Sequence, residues 1–124
     1  MKLKKISEFK EEKEIKVEGE AFRYIDIIKI SGLTVKNWEK FYKRFGRPED
    51  RKTFEYDEIE KVIGLATLLE IQPDCPEPDC VRGDCWDTIF HIIFTKGKTY
   101  LVGEVYAYFH PNTFAHKLII YEIT

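Results

Sequence analysis

Residues 86–109 carry the sequence WDTIFHIIFTKGKTYLVGEVYAYF, and this stretch indicates the fold. Two runs rich in β-branched and aromatic residues flank Lys96-Gly97, a dipeptide that suits a tight turn between antiparallel strands. The pattern therefore predicts a hairpin whose strands cover about 86–95 and 99–109.

A third C-terminal strand and an N-terminal hairpin extend the predicted sheet. The third strand covers about 117–124, where most residues are apolar whichever face they point to. The N-terminal hairpin has its second strand over about 21–30, a run rich in isoleucine and aromatic residues. The residues before this hairpin, 1–14, form a charged lead that we expect to be a short helix or a frayed tail.

Two helices are predicted between the hairpin and the C-terminal strands. The first covers about 35–45, with Thr34 as its N-cap and an aromatic stripe at helical spacing. The second covers about 58–71 and has Asp57 as its N-cap. Gly64 in the middle of this helix costs about 1 kcal/mol relative to alanine, which predicts a close packing contact at that position.

The element order ββααβββ places the chain in the α+β class. We expect residues 1–124 to form a single domain, because the length is typical of one domain and no linker or repeat interrupts the pattern. The expected architecture is an antiparallel sheet, made of the N-terminal hairpin and a C-terminal three-stranded meander, with both helices packed on one face.

The composition indicates where the protein is found and excludes some classes of function. The formal net charge of −2 excludes a globally basic, nucleic-acid-binding surface but not a local basic patch. No apolar run approaches the roughly 20 residues that span a bilayer, and the charged N-terminus does not resemble a signal peptide. We therefore expect a cytoplasmic protein. Abundant Lys and Glu with few Asn and Gln are typical of a thermophile, an AT-rich mesophilic genome being the alternative.

The predicted hairpin has one apolar face, which we expect to be core, and one face with reactive groups. The second face mixes thiol, imidazole, carboxylate and phenol side chains: Cys85, His91, Glu104, Tyr106, Tyr108 and His110. If the turn falls at Gly97-Lys98, His91 lies opposite Glu104, and a histidine held by a carboxylate is a reasonable general base. In the same register Cys85 lies opposite His110, and a thiol beside a histidine can become a nucleophile. A surface that contacts solvent or a partner carries the same residue types, so we favour binding over catalysis, with Tyr106 and Tyr108 as contact residues.

The three cysteines lie in an acidic, proline-containing loop over 73–87. Cys75, Cys80 and Cys85 have C-x4-C-x4-C spacing, which lacks the tight C-x2-C turn of structural zinc sites. They are weak metal-ligand candidates, and free thiols or a disulfide remain open. The loop has a net charge of −4, but its spacing is not that of a calcium-binding EF-hand. We expect neither a bound metal nor a cofactor.

A basic segment over 36–52 provides the clearest charge asymmetry, with a net charge of +4. Its cations are Lys36, Lys40, Lys43, Arg44, Arg47, Arg51 and Lys52. Four of them recur at helical spacing on the helix side opposite the aromatic stripe and so form a basic ridge: Lys36, Lys40, Lys43 and Arg47. Such a ridge can contact phosphates or an acidic protein, and cations near a helix C-terminus are favourable in any case.

The function expected from these features is that of a non-enzymatic binding protein. The sequence has no phosphate-binding loop, dinucleotide loop or hydrolase motif. A small domain with segregated charge suits an accessory or inhibitor of a larger assembly, and a viral or mobile-element origin fits that role. The first alternative is a nucleic-acid or nucleotide-binding module that uses the basic ridge. The second is a small hydrolase or transferase that uses His91, Glu104 and His110. The partner is expected to be a protein. The apolar strand at 117–124 is expected either to be covered on both sides, in a monomer, or to form a homodimer interface through the C-terminal sheet.

Overall fold

Five strands and three helices follow one another along the residues that the structure, a computed structural model, describes. The described residues are 1–14, 31–71, 86–109 and 113–124. In chain order the elements are β1 (Leu3–Glu14), α1 (Ser31–Phe45), β2 (Asp50–Phe54), α2 (Tyr56–Ile63), α3 (Leu65–Ile71), β3 (Trp86–Thr95), β4 (Lys98–Phe109) and β5 (Thr113–Ile123). The predicted strand at 21–30 lies outside the described residues. None of the helices in these ranges has the length and apolar character needed to cross a membrane.

All five described strands form one antiparallel sheet in the order β1-β5-β4-β3-β2. The predicted fold class, a small single α+β domain with a C-terminal meander, is confirmed. β5 lies between β1 and β4, where Leu118, Ile119 and Ile120 are buried in succession. Because β5 is an interior strand, its apolar character on both faces is explained within one chain and no longer argues for a homodimer.

The turn between β3 and β4 falls at Lys96-Gly97, the earlier of the two placements considered. Both residues have positive φ, 50° and 76°, as expected in the tight turn that matches the twist of a hairpin. In this register His91 lies opposite Val102, so Glu104 is its diagonal neighbour rather than its direct partner. The faces of the two strands are unchanged, because shifting the turn by one residue changes the pairing by two.

Apolar side chains cover both faces of the sheet. On one face α1 packs its aromatic stripe into a core with β3, β4 and β5: Trp38, Phe41, Phe45, Ile93, Tyr100, Val102, Leu118 and Ile120. On the other face α2 and α3 contribute Ile59 and Leu68 to a second core with Phe90 and Leu101. The helices therefore lie on both faces, which differs from the expectation of one. The reason is that the central strands carry large apolar residues on each face, and each face needs its own cover.

The charged lead at 1–14 is a full strand at the edge of the sheet rather than a helix or a frayed tail. β1 pairs with β5 from Leu3 to Glu14, with one irregularity between Lys5 and Ser7. Its few apolar side chains pack against the cores, while most of its Lys and Glu side chains are exposed. Charged residues on an edge strand discourage pairing with other chains, which explains why this strand lacks an apolar sequence pattern.

The helix boundaries differ from the prediction at three points. α1 already includes Ser31, so Thr34 lies inside the helix rather than at its N-cap. The N-cap of α2 is Glu55, which forms a capping box with Glu58. This cap lies two residues before the predicted N-cap, Asp57. Gly64 ends α2 with a φ of 87°, and no atom of the described residues lies within 4 Å of the position its Cβ would take. This glycine therefore breaks the predicted long helix by its backbone conformation and not by close packing.

Candidate functional site

A buried polar cluster lies between α1 and the sheet, centred on the carboxylate of Glu104 in β4. Among the described residues, this carboxylate accepts hydrogen bonds from Nε2 of His91 at 2.9 Å, from Nε2 of His116 at 2.8 Å and from Nε1 of Trp38 at 2.6 Å. The side chains come from β3, β4, β5 and α1, and Glu104 is only 4% exposed. We call these four residues the Glu104 cluster.

The outer nitrogens of both histidines also have partners. Nδ2 of Asn37 donates to Nδ1 of His116 at 2.8 Å and to the His116 carbonyl oxygen at 2.9 Å. Nδ1 of His91 lies 3.0 Å from the Thr53 hydroxyl and 3.2 Å from a guanidinium nitrogen of Arg51. Because an amide nitrogen can only donate, Nδ1 of His116 acts as an acceptor. Nε2 of each histidine carries a proton, because it donates to the carboxylate of Glu104, and His116 is therefore a neutral imidazole.

The electrostatics of the Glu104 cluster favour an ionised carboxylate. Burial by itself raises the pKa of Glu104, but the hydrogen bonds from His116, His91 and Trp38 outweigh it and hold the pKa well below 4.5. The neighbouring Tyr106 shows the opposite effect, since burial and then the charge of Glu104 raise its pKa to about 12. Glu104 is therefore charged and Tyr106 protonated at neutral pH.

The Glu104 cluster has the geometry of a structural network rather than a catalytic one. A general base needs a nitrogen or oxygen within hydrogen-bonding reach of a substrate. Here every ring nitrogen of His91 and His116 has a partner, and both side chains are nearly or fully buried. Among the described residues, no group of three or more His, Cys, Asp and Glu is arranged to hold a metal ion. The cluster instead ties α1 to three strands of the sheet.

The residues of the sequence-predicted reactive face are only partly described. His91 and Glu104 come together as expected, but inside the closed cluster. Tyr106 packs against His116, with ring centroids 5.2 Å apart. Cys75, Cys80, Cys85 and His110 lie outside the described residues, as does the side chain of Tyr108.

Sequence reasoning missed His116, Asn37 and Thr53. His116 escaped because the third strand was predicted to start at 117, whereas β5 starts at Thr113 and pairs His116 with Tyr106. Asn37 precedes Phe41 by one helical turn and so shares its buried face, a spacing that could have identified it. Thr53 lies on β2, a strand for which the sequence shows no clear signal.

The seven cations of the basic segment 36–52 are all exposed, but they do not form one surface. Lys36, Lys40 and Lys43 lie on the outer side of α1, where Lys40 pairs with Glu11 of β1 at 2.5 Å. Arg44 also leans toward β1 and donates to the Ser7 hydroxyl at 2.7 Å. The remaining three are Arg47, Arg51 and Lys52. Within β2, Arg51 and Lys52 point to opposite faces of the sheet, because neighbouring strand residues alternate.

Two of these arginines lie over aromatic rings along the side of α1 that faces β2. The Arg51 guanidinium carbon lies 4.3 Å from the Trp38 ring centroid, and that of Arg47 lies 5.3 Å from the Tyr42 centroid. The two rings are themselves 5.9 Å apart and inclined by only 31°. We call these four residues the arginine–aromatic flank.

Fold and site together define a small antiparallel α+β domain with a closed polar cluster beneath a basic helix. Comparisons with models of protein families, with curated proteins and with solved structures find no match to this chain. The functional argument therefore starts from the geometry of the surface.

Proposed function

We propose that this chain is a non-enzymatic interaction protein that binds an acidic surface of a partner protein through the outer side of α1. The observation that carries the proposal is the exposure of Lys36 and Lys43, neither of which has an ion-pair partner among the described residues. Such a protein, acting in the cytoplasm as an accessory or inhibitor of a larger assembly, needs no catalytic group. The thermophile-like composition and a viral or mobile-element origin are compatible with this role.

The rigidity of α1 supports the proposal. Its aromatic stripe is buried against the sheet, and Asn37 and Trp38 add hydrogen bonds to the Glu104 cluster. At its end, Gly46 adopts a φ of 94° and the Thr95 hydroxyl donates to the carbonyl oxygens of Phe45 and Arg47. A helix held in this way presents its lysines in a fixed spacing, which lowers the ordering cost of binding.

The distribution of acids around α1 favours a protein over a nucleic acid as partner. A shallow groove beside the helix is lined by Glu11 and Glu39 together with the three lysines. Carboxylates between the cations repel a continuous polyanion, whereas a protein surface can place its acids opposite the lysines alone. The net charge of −2 acts in the same direction.

The proposal is tested by charge reversal with two polyanion probes. Fluorescence polarisation would compare a labelled peptide of alternating glutamate and alanine, whose carboxylates are spaced, with a single-stranded oligodeoxynucleotide of equal formal charge, for the wild type and the Lys36→Glu/Lys43→Glu variant. A Lys4→Glu/Lys61→Glu variant, which reverses two exposed lysines elsewhere, is the matched control.

We expect the peptide to bind the wild type and the control, and not the variant with the reversed α1 lysines. Tighter binding of the oligonucleotide, falling steeply as salt rises from about 50 to about 200 mM, would establish the nucleic-acid module instead. Absence of binding to either probe, or equal loss in the control, would also refute the proposal.

A further inference from the structure

We propose that the arginine–aromatic flank is the specificity element of this interface, at which Arg47 and Arg51 each bind a side-chain carboxylate of an acidic peptide segment of the partner. This inference rests on the proposed function, because it names the part of the surface that recognises the acidic partner. It separates recognition by the two arginines from general attraction by the lysines of α1.

Both arginines keep hydrogen-bond donors available beside their aromatic rings. A guanidinium carries five N–H donors, and its attraction to the face of a ring does not consume them. Arg47 makes no side-chain hydrogen bond among the described residues, and its fork of donors is uncommitted there. Nε and Nη2 of Arg51 both lie within hydrogen-bonding distance of Nδ1 of His91, which leaves Nη1 available to bind a ligand.

The flank is also preorganised. The rings of Trp38 and Tyr42 belong to one helix, and Trp38 is fixed by its hydrogen bond to Glu104. The two exposed arginines are thus held over rings whose centres are 5.9 Å apart, instead of sampling the many rotamers of a free surface arginine. The free planar fork of Arg47 is suited to bidentate recognition of a carboxylate, which lysine cannot reproduce, and Arg51 can donate one further hydrogen bond from Nη1.

The charges around the flank favour separate carboxylates over a phosphate chain. Glu49 and Asp50 lie in sequence between the two arginines and are exposed. A continuous row of phosphates would meet these acids, whereas a peptide can place a carboxylate at each arginine and neutral residues between them. Val35, one helical turn before Trp38, is 53% exposed and offers an apolar contact to such a peptide.

The test exchanges arginine for lysine, which keeps the charge and removes the planar fork. Binding of the same labelled peptide of alternating glutamate and alanine would be measured by fluorescence polarisation for the wild type and for the variants Arg47→Lys and Arg51→Lys. Arg44→Lys is the matched control, because Arg44 also lies near an aromatic ring, that of Phe45, but leans toward β1. Arg51 contacts the Glu104 cluster, so thermal melting would accompany each variant. Arg47 makes no contact with that cluster and decides the test even if Arg51→Lys is unstable.

We expect each flank variant to bind the peptide about tenfold more weakly, the effect of losing one charge-assisted hydrogen bond, and the Arg44→Lys control to bind like the wild type. Unchanged affinity in Arg47→Lys would overturn the inference. If Lys36→Glu/Lys43→Glu still abolished binding in that case, the proposed function would stand without it. An equal loss in Arg44→Lys would also overturn it, because any arginine would then serve.

Discussion

Replacing Glu104 by glutamine probes the Glu104 cluster with almost no change in shape. The amide can keep an oxygen toward His116 and Trp38, but its NH₂ group then faces the Nε2–H of His91. Two charge-assisted hydrogen bonds become neutral, at about 1 kcal/mol each, and one buried donor loses its acceptor, at about 1–3 kcal/mol. We expect Glu104→Gln to lower the free energy of unfolding by about 3–5 kcal/mol.

This loss is large against the 5–15 kcal/mol that is typical of a domain, yet it leaves room for a folded variant. Urea unfolding followed by circular dichroism measures it, with Glu122→Gln as a control at a partly exposed carboxylate on β5. In the Glu104→Gln/His91→Phe double variant the second change should cost less than it does alone, because its partner is already lost. A loss below about 1 kcal/mol for Glu104→Gln would refute the view that the cluster holds the two layers together.

Four further predictions concern pH, backbone and metal. The pKa of Glu104 in the folded state lies below its ordinary value. The stability that the ionised Glu104 contributes is therefore complete above about pH 4.5 and is lost as the pH falls further. Urea unfolding at a series of pH values measures this loss, and Glu104→Gln should flatten the dependence of stability on pH. The pKa of Tyr106 is raised to about 12, so stability should fall as the pH rises from about 10 to 12. Ultraviolet titration measures this pKa, and unfolding of Tyr106→Phe should lack the fall in stability. Gly64→Ala should destabilise the protein by about 1–2 kcal/mol through its positive φ, although the added methyl group meets no atom of the described residues. A stabilised variant in urea unfolding would contradict this. EDTA should leave the melting temperature unchanged, since the cysteine spacing does not match a structural zinc site; loss of a stoichiometric metal together with the fold would show otherwise.

The C-terminal strands could be predicted from sequence because their residue types agree with their structure. Residues 86–109 combine β-branched and aromatic runs with a turn dipeptide, and the hairpin forms there. β1 and β2 could not be predicted in the same way. They are edge strands whose exposed positions carry charge, and such sequences show no strand-like apolar pattern. Gly64 was recognised as exceptional, but sequence alone does not distinguish a tight contact from a left-handed backbone.

The candidate site was predictable in its parts but not in its closure. Alternation along the hairpin places His91 and Glu104 on one face, which the structure confirms. Whether that face meets solvent or a helix depends on how α1 returns over the sheet, and this is a property of the long-range packing. The roles of Asn37 and Arg51 depend on the same packing, since each reaches a histidine that is distant in sequence.

The position of the sheet between two helical layers has a consequence for how the protein tolerates mutation. A strand with one wet face accepts polar substitutions at every second residue. β5 has buried blocks of three consecutive residues instead, at 114–116 and 118–120. A scan of all single substitutions, read out by folding, should therefore show runs of intolerant positions in β5 and mostly tolerant positions in β1. Substitutions that accumulate during evolution would then fall mainly at the edges of the sheet. The interior strands would change only when residues in both helical layers are replaced together.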